Sequence, residues 1–333
     1  MHATAFVVLI GVALGILFLI FGNLWLQTHL GPVGPGAESI VRVPEHSGSR
    51  GVARLLKEKR LIRNDLAFRI ALRQWGLSDK LKAGYYRLSP ALRAEEIARC
   101  LAEGRVAVAK ITIPEGFTVP QIADRLANEQ LCTAAEFLDA ARPANVRNPR
   151  LRLAGGSLEG FLFPDTYTVK YGTPPADIVN LMTDNFVQRV VEGLAPDLGA
   201  SRHSLNEVVT IASMIEREAE VDKDRPLIAS VIYNRLRKDM RLQIDATVIY
   251  ALGEHRSRLT REDLKVDSPF NTYRYQGLPP HPICNPGLPS IRAALRPANT
   301  DYLYYVARSD GSHVFTKTYE EHRKAIHEVR GNR

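Results

Sequence analysis

Two carboxylates, Glu216 and Glu218, stand two positions apart in the otherwise apolar run "SMIEREAEV", Ser213 to Val221. Carboxyl groups in such a setting can do proton chemistry. Desolvation penalises the charged form and raises the pKa toward neutrality, and a neutral carboxyl can then serve as a general acid. On the helix expected over "SLNEVVTIASMIEREAEV", Val208, Ile211, Ala212, Ile215 and Ala219 form one apolar stripe. At about 100° per residue, Glu216 and Glu218 flank that stripe on opposite sides. Both therefore reach a boundary between core and cleft, and helix geometry does not choose between them. The plain alternative is that both are solvated charges at a helix edge.

Other catalytic signatures are missing. The chain has no H-E-x-x-H, no G-x-x-x-x-G-K-[ST] and no G-x-G-x-x-G. "GGSLEG" fails as a nucleophile elbow because Glu159 stands where the second glycine is needed. The nine histidines show no ligand spacing, which argues against a metal enzyme, and a serine hydrolase is equally disfavoured. What remains is a loop-rich stretch carrying Asn234, Gln243, Asp245, Asn271, Tyr273, Tyr275 and Asn285 amid proline and glycine. Amides read hydroxyl and N-acetyl groups, and tyrosines offer flat amphipathic faces to sugar rings. The same residues also cap turns. Clustered, they suggest a groove for a polar ligand, with Glu159 of "SLEGFLFPDTY" as a further candidate contact.

The elements that would position these groups can be read from periodicity. "IVRVPEH" reads as a short strand, "SGSRGVARLLKEKRLI" as an amphipathic helix, and "NDLAFRIALRQWG" as a helix capped by Asn64 and closed by Gly76. "KAGYYRLS" is a strand, and "RAEEIARCLAEGR" a helix that stops at Gly104. These pieces predict a small β/α module over 38–109. From residue 110 a strand runs into the "PEG" turn, and Thr118 caps a helix with Pro120 in its first turn. "PADIVNLMTDNFVQRVVEGL" and "DRPLIASVIYNRLRKDM" read as long helices. "YLYYVAR" and "SHVFT" form a hairpin around Asp310-Gly311, and "TYEEHRKAIHEV" is a closing helix. The expected class is α+β, with a larger, mainly helical region over 110–333 that carries small sheets.

The N-terminus sets the compartment. "FVVLIGVALGILFLIFGNLWL", Phe6 to Leu26, is uncharged and as a helix spans roughly 31 Å, enough to cross a bilayer. No charged side chain precedes Glu38, and no A-x-A cleavage site follows the run, which favours an uncleaved span over 1–27 rather than a signal peptide. A proline- and glycine-rich linker over 28–37 follows. The short N-terminal tail stays inside and the large C-terminal part is exported. Cys100, Cys132 and Cys284 are too scattered for a disulfide framework. A balance of 44 basic against 36 acidic residues, net +8, suits nucleic acid, anionic lipid or an acidic polymer. The span, and the lack of basic clusters interleaved with aromatics, argue against nucleic acid.

Several blocks in order, "ITIPEGFTVPQIADRL", "LEGFLFPDTY", "IASMIEREA", "VIYNRL", "LQIDATVIYAL", "SPFNTYRYQGLPPHPICNPGLPSIRAALRPANTDYLYYVA" and "GSHVFTKTYEEH", resemble the MltG/YceG-like family. The resemblance runs from about Ile111 to His322. It implies a membrane-anchored endolytic murein transglycosylase, a lyase of the bacterial plasma (inner) membrane with its catalytic domain on the periplasmic or extracytoplasmic side. It also implies that 38–109 form a LysM-like peptidoglycan-binding module. The family's catalytic glutamate falls on Glu218, leaving Glu216 a structural or supporting role. Substrate contacts are expected from Glu159, Asn234, Gln243, Asp245, Asn271 and Tyr273. The implied partners are peptidoglycan glycan strands, membrane lipid around the N-terminal helix and, as candidates, peptidoglycan synthases. No metal or organic cofactor is needed for the reaction. The rival reading is a membrane-anchored scaffold that binds peptidoglycan without cutting it.

Overall fold

The computed structural model describes residues 2–151, 156–254, 256 and 258–331; Gly155 of "GGSLEG" lies outside them. It is a mixed α+β structure in two compact units, one of residues 1–109 with 169–172 and the other of 110–168 with 173–333. The described residues contain three two-stranded sheets: β1 (Ser39–Val43) with β2 (Gly84–Leu88), β3 (Val108–Thr112) with β4 (Thr166–Lys170), and β5 (Tyr304–Ala307) with β6 (His313–Thr316).

The first unit opens with α1 (His2–Leu30), of which Phe6–Leu30 is long and apolar enough to cross a membrane. The helix does not end where the apolar run ends. Leu30 is buried in the unit's core, and Leu26 packs against it. The expected linker over 28–37 is therefore partly helix, and the rest is tied down. Val33 and Gly34 both donate backbone N–H groups to Pro90 O, Ser89 Oγ donates to Gly36 O at 3.0 Å, and Arg63 Nε donates to Pro32 O at 2.8 Å. Prolines with fixed φ and backbone groups that need partners make this a strap rather than a loose coil.

Helices α2 (Ser49–Glu58), α3 (Asp65–Gln74) and α4 (Ala94–Glu103) pack on the antiparallel β1–β2 pair, in which Val41 faces Tyr86. Asn64 Oδ1 accepts from the Leu66 and Ala67 amides, the N-cap that its side chain favours. Val52, Leu56, Phe68, Leu72, Ile97 and Leu101 are fully enclosed. Each such side chain contributes about 1.5–3 kcal/mol by leaving water.

The second unit is built around α9 (Leu205–Glu218), with α10 (Arg225–Arg237), α11 (Asp245–Leu252) and α12 (Leu288–Leu295) packed against it. The expected one-sided stripe is thus too narrow: every residue from Val208 to Ile215 is buried, including Thr210 and Ser213. The two hydroxyls satisfy themselves by bonding Asn206 O and Thr210 O. The helix also stops earlier than expected, at Glu218, because Ala219 turns to extended backbone. Around this core lie α5 (Val119–Asn128), α6 (Ala134–Ala140), α7 (Pro175–Phe186), α8 (Ala195–Ala200) and α13 (Tyr319–Gly331). Beyond α7 the chain continues as a π-helical stretch, Val187–Glu192, where a plain α-helix was expected.

One polar knot fastens the two halves of the sequence in this unit. Asn285 is wholly buried; its Oδ1 accepts from the Gly160 and Leu162 amides, and its Nδ2 donates to Phe117 O and Glu159 Oε1. Glu159 is 2% exposed and also accepts from the Val119 amide at 3.1 Å. Burial pushes its carboxyl up to about 8 against these hydrogen bonds. Gly160 has φ +91, and a Cβ there would lie 2.5 Å from Pro282 Cγ, so only glycine fits between "LEGF" and "HPICNPG".

Two outcomes follow from this knot. Asn285→Ala strands several buried donors and acceptors at about 1–3 kcal/mol each, so chemical denaturation should show a loss of at least about 3 kcal/mol. A loss below about 1 kcal/mol would contradict the knot's role. Glu159 has a folded pKa above its unfolded value, so its share of stability is present at low pH and is lost as pH rises from about 4.5 to about 8. The melting temperature of Glu159→Gln relative to wild type should therefore climb across that window; a flat difference would contradict the assignment.

Candidate active site

The two glutamates of the opening motif meet opposite fates. Glu216 turns inward, with 7% of its side chain exposed. Its Oε1 lies 3.2 Å from Arg225 Nη1 and its Oε2 accepts from the Gly287 amide at 2.9 Å. Arg225 is shared further with Asp222 and Ser290. The pair bonds α9 to α10 and to the start of α12. A Cβ at Gly287 would meet the Glu115 carboxylate at 1.9 Å, so a larger residue there would push that side chain aside.

Glu218, the last residue of α9, is half-buried and points the other way. Its Oε2 accepts from Tyr305 Oη at 3.1 Å, and the Ala246 amide at the start of α11 faces the carboxyl and favours its charged form. Desolvation dominates and pushes its pKa up to about 7, with the Asp245 carboxylate adding to the rise and the Tyr305 hydrogen bond opposing it. The C-terminal end of a helix carries negative partial charge, which also disfavours an ionised carboxyl in the last turn. Asp245 is the exposed first residue of α11. Tyr273 Oη donates to Asp245 Oδ1 at 2.5 Å.

Each of these groups is held by a bracket. The Tyr273 loop is stitched to α11 by Thr272, whose Oγ1 accepts from the Ile244 amide and bonds Thr247 Oγ1. Asn271 donates to Leu264 O and Val266 O and accepts from the Tyr273 amide. Arg235 donates to Leu303 O at 2.6 Å and Leu242 O at 2.7 Å, with its guanidinium 5.1 Å from the Tyr304 ring. Asn234 donates to Thr300 O and Tyr302 O. These two α10 residues fix the strand that presents Tyr305. On the far side of the hairpin, Asp224 accepts from both the backbone amide and Nδ1 of His313.

Among the residues singled out from sequence, Glu218, Asp245, Tyr273 and Gln243 come together at one exposed rim. Gln243 sits beside Arg235 with φ +53 and donates its amide to Thr272 O. Glu159, Asn234 and Asn271 do not join the rim. All three are buried, with side-chain groups spent on the protein, so the structure puts them in its framework rather than at a ligand surface. Tyr305 and Arg235 were missed. The only signals were the alternating "YLYYVA" strand and the "NR" pair in "VIYNRL", which reads as an ordinary helix surface. Among the described residues no group of three His, Cys, Asp or Glu is arranged to hold a metal ion.

The chain is similar to known proteins over most of its length. The endolytic murein transglycosylase of Bacillus subtilis (strain 168) is 37% identical over 326 residues, covering 92% of this chain and 90% of its own. The protein of the same name from Streptococcus pneumoniae serotype 2 (strain D39) is 30% identical over 365 residues, 98% of this chain and 65% of its own. The crystal structure of a YceG-like protein from Listeria monocytogenes superposes with a TM-score of 0.59 at 38% identity, over 88% of this chain and all of that one. The YceG-like family model matches residues 41–328, and the chain belongs to the YceG-like family.

Proposed function

We propose that the protein is an endolytic murein transglycosylase, a lyase that cuts peptidoglycan glycan strands and uses Glu218 as its acid and base. The observation that carries this reading is the half-buried Glu218 carboxyl, held by Tyr305 Oη at 3.1 Å at a rim of tyrosine and amide groups, with its pKa pushed up to about 7. A carboxyl with that pKa is protonated in a large fraction of molecules near neutral pH and can protonate the leaving sugar oxygen of the glycosidic bond. Glycosidic cleavage passes through an oxocarbenium-like transition state. Asp245 lies close enough to Glu218 to add to the rise in its pKa and stands on the side where that positive charge develops. The 6-hydroxyl of the N-acetylmuramyl residue then attacks its own anomeric carbon and gives its proton to Glu218. The acid is restored, and the product ends in 1,6-anhydro-N-acetylmuramic acid. No outside water enters. Tyr305 holds the Glu218 carboxyl, and Tyr273 and Gln243 line the glycan path.

The remaining features fit a location next to strand synthesis. We infer that α1 is an uncleaved anchor in the bacterial plasma membrane, with the two units outside the cytoplasm. The support is that its last turn is also part of the first unit's core. Residues 38–109, as a LysM-like module, grip the glycan, and cutting nascent strands beside a peptidoglycan synthase terminates their elongation.

Purified peptidoglycan with wild-type protein should yield anhydro ends by mass spectrometry, and Glu218→Gln should lower that rate about 10²–10⁴-fold while glycan binding persists. Because the acid must carry its proton, kcat/KM should fall as pH rises through about 7. Glu216→Gln acts differently: it breaks a buried ion pair, so it should cost about 3–5 kcal/mol of stability while the remaining folded enzyme turns over nearly normally. Equal kinetic losses in the two folded variants would contradict a single acid. For the anchor, the protein in membranes should retain its N-terminal helix and fractionate with lipid. A shortened protein released into solution on export would contradict it.

A further inference from the structure

We propose that a groove along α11 is a peptide subsite, which takes the short peptide hanging from the muramyl residue whose bond is cut. The inference rests on the transglycosylase reading and names a second ligand class for the same site, a peptide carrying carboxylates and a primary amine. The groove has a volume of about 480 Å³ and lies within the second unit, between the first turn of α5 and one face of α11, with Ile283 among its lining residues. Ala246, Ile249, Tyr250 and Gly253 are spaced so that they share that face.

Position, length and charge point to this occupant. The groove starts at the acid: Ala246, which lines it, presents its amide to Glu218, and Arg217, which also lines it, is the residue just before Glu218 in the chain. From Ala246 to Gly253 the helix rises about 10 Å, the span of about three extended residues. Arg217 and Asp124 are both exposed on the groove and have no ion-pair partner among the described residues. Glu254 adds a second acid at the far end of α11, where it also meets Arg256. A sugar carries no charge for these groups to read. A peptide of alanine, glutamate and a diamino acid does: its carboxylates suit Arg217, its amine suits Asp124 and Glu254, and its methyl group suits Ile249. The tyrosine-rich rim at Tyr273 and Tyr305 is then left to the glycan.

The test compares glycan strands bearing their peptides with the same strands stripped by an amidase, using the full-length chain in detergent. Wild type should cleave peptide-bearing strands with a kcat/KM about tenfold higher, the difference lying in KM. Asp124→Asn should reduce that preference to about twofold or less while leaving the rate on stripped strands unchanged, and Arg217→Ala should likewise reduce the preference. The free tripeptide of alanine, γ-linked glutamate and a diamino acid should bind wild type, and each variant should weaken it at least about fivefold. Equal wild-type rates on the two substrates, or variants that slow both substrates alike, would overturn the subsite. Absence of anhydro ends from either substrate would overturn the transglycosylase reading instead, and tripeptide binding then decides the groove by itself.

Discussion

The site depends on keeping one carboxyl poorly solvated. Glu218 is the last residue of α9, and its environment is assembled from elements far apart in the chain: the Ala246 amide and Asp245 at the start of α11, and Tyr305 on β5. Each would lose its place without a second tie. Arg235 and Asn234 hold the segment that leads into β5, Thr272 holds the start of α11, and Asp224 holds β6 through His313. Desolvation is a non-additive property of the whole enclosure. That is why a helix residue with an ordinary neighbourhood in sequence acquires an acid's behaviour in the fold.

The pair Glu216 and Glu218 shows how two positions on one helix divide labour. About 200° apart around α9, they face different partners. Glu216 meets a cation and a backbone amide, so its charge is matched and serves packing. A matched buried pair is weak as a net source of stability but expensive to break from one side. Glu218 meets a hydroxyl and the Asp245 carboxylate, forms no ion pair among the described residues, and feels the adjacent Arg217 less than its own desolvation, so its charge is what the site resists. The contrast lies in the surroundings, since the residue types are identical.

Much of the local structure was legible because it rests on short-range chemistry. Asn64 caps α3 and Thr118 caps α5 through their own side chains, as their types and positions implied. The hairpin around Asp310-Gly311 pairs Tyr305 with Phe315. Long-range burial was not legible. A stripe of five apolar positions could not reveal that α9 is enclosed on all sides, because its Thr210 and Ser213 hydroxyls bond their own helix and add no polar face. Amides were equally ambiguous. Gln243 stands at the rim, whereas Asn234 and Asn271 became brackets inside the fold, and no spacing distinguishes the two uses. Proline and glycine over 28–37 signalled a turn-rich segment but not the backbone bonds to Pro90 that strap it down.

Acid catalysis by Glu218 depends on where its proton resides near neutral pH. The direct measurement is the titration of that one carboxyl, by carbon-13 NMR of glutamate-labelled protein with Glu218→Gln used to assign the signal. A midpoint near 7, well above the 4.5 of an ordinary glutamate, is the predicted result. A midpoint at the ordinary value would mean that the carboxyl is ionised and solvated at neutral pH, and would contradict its role as the acid.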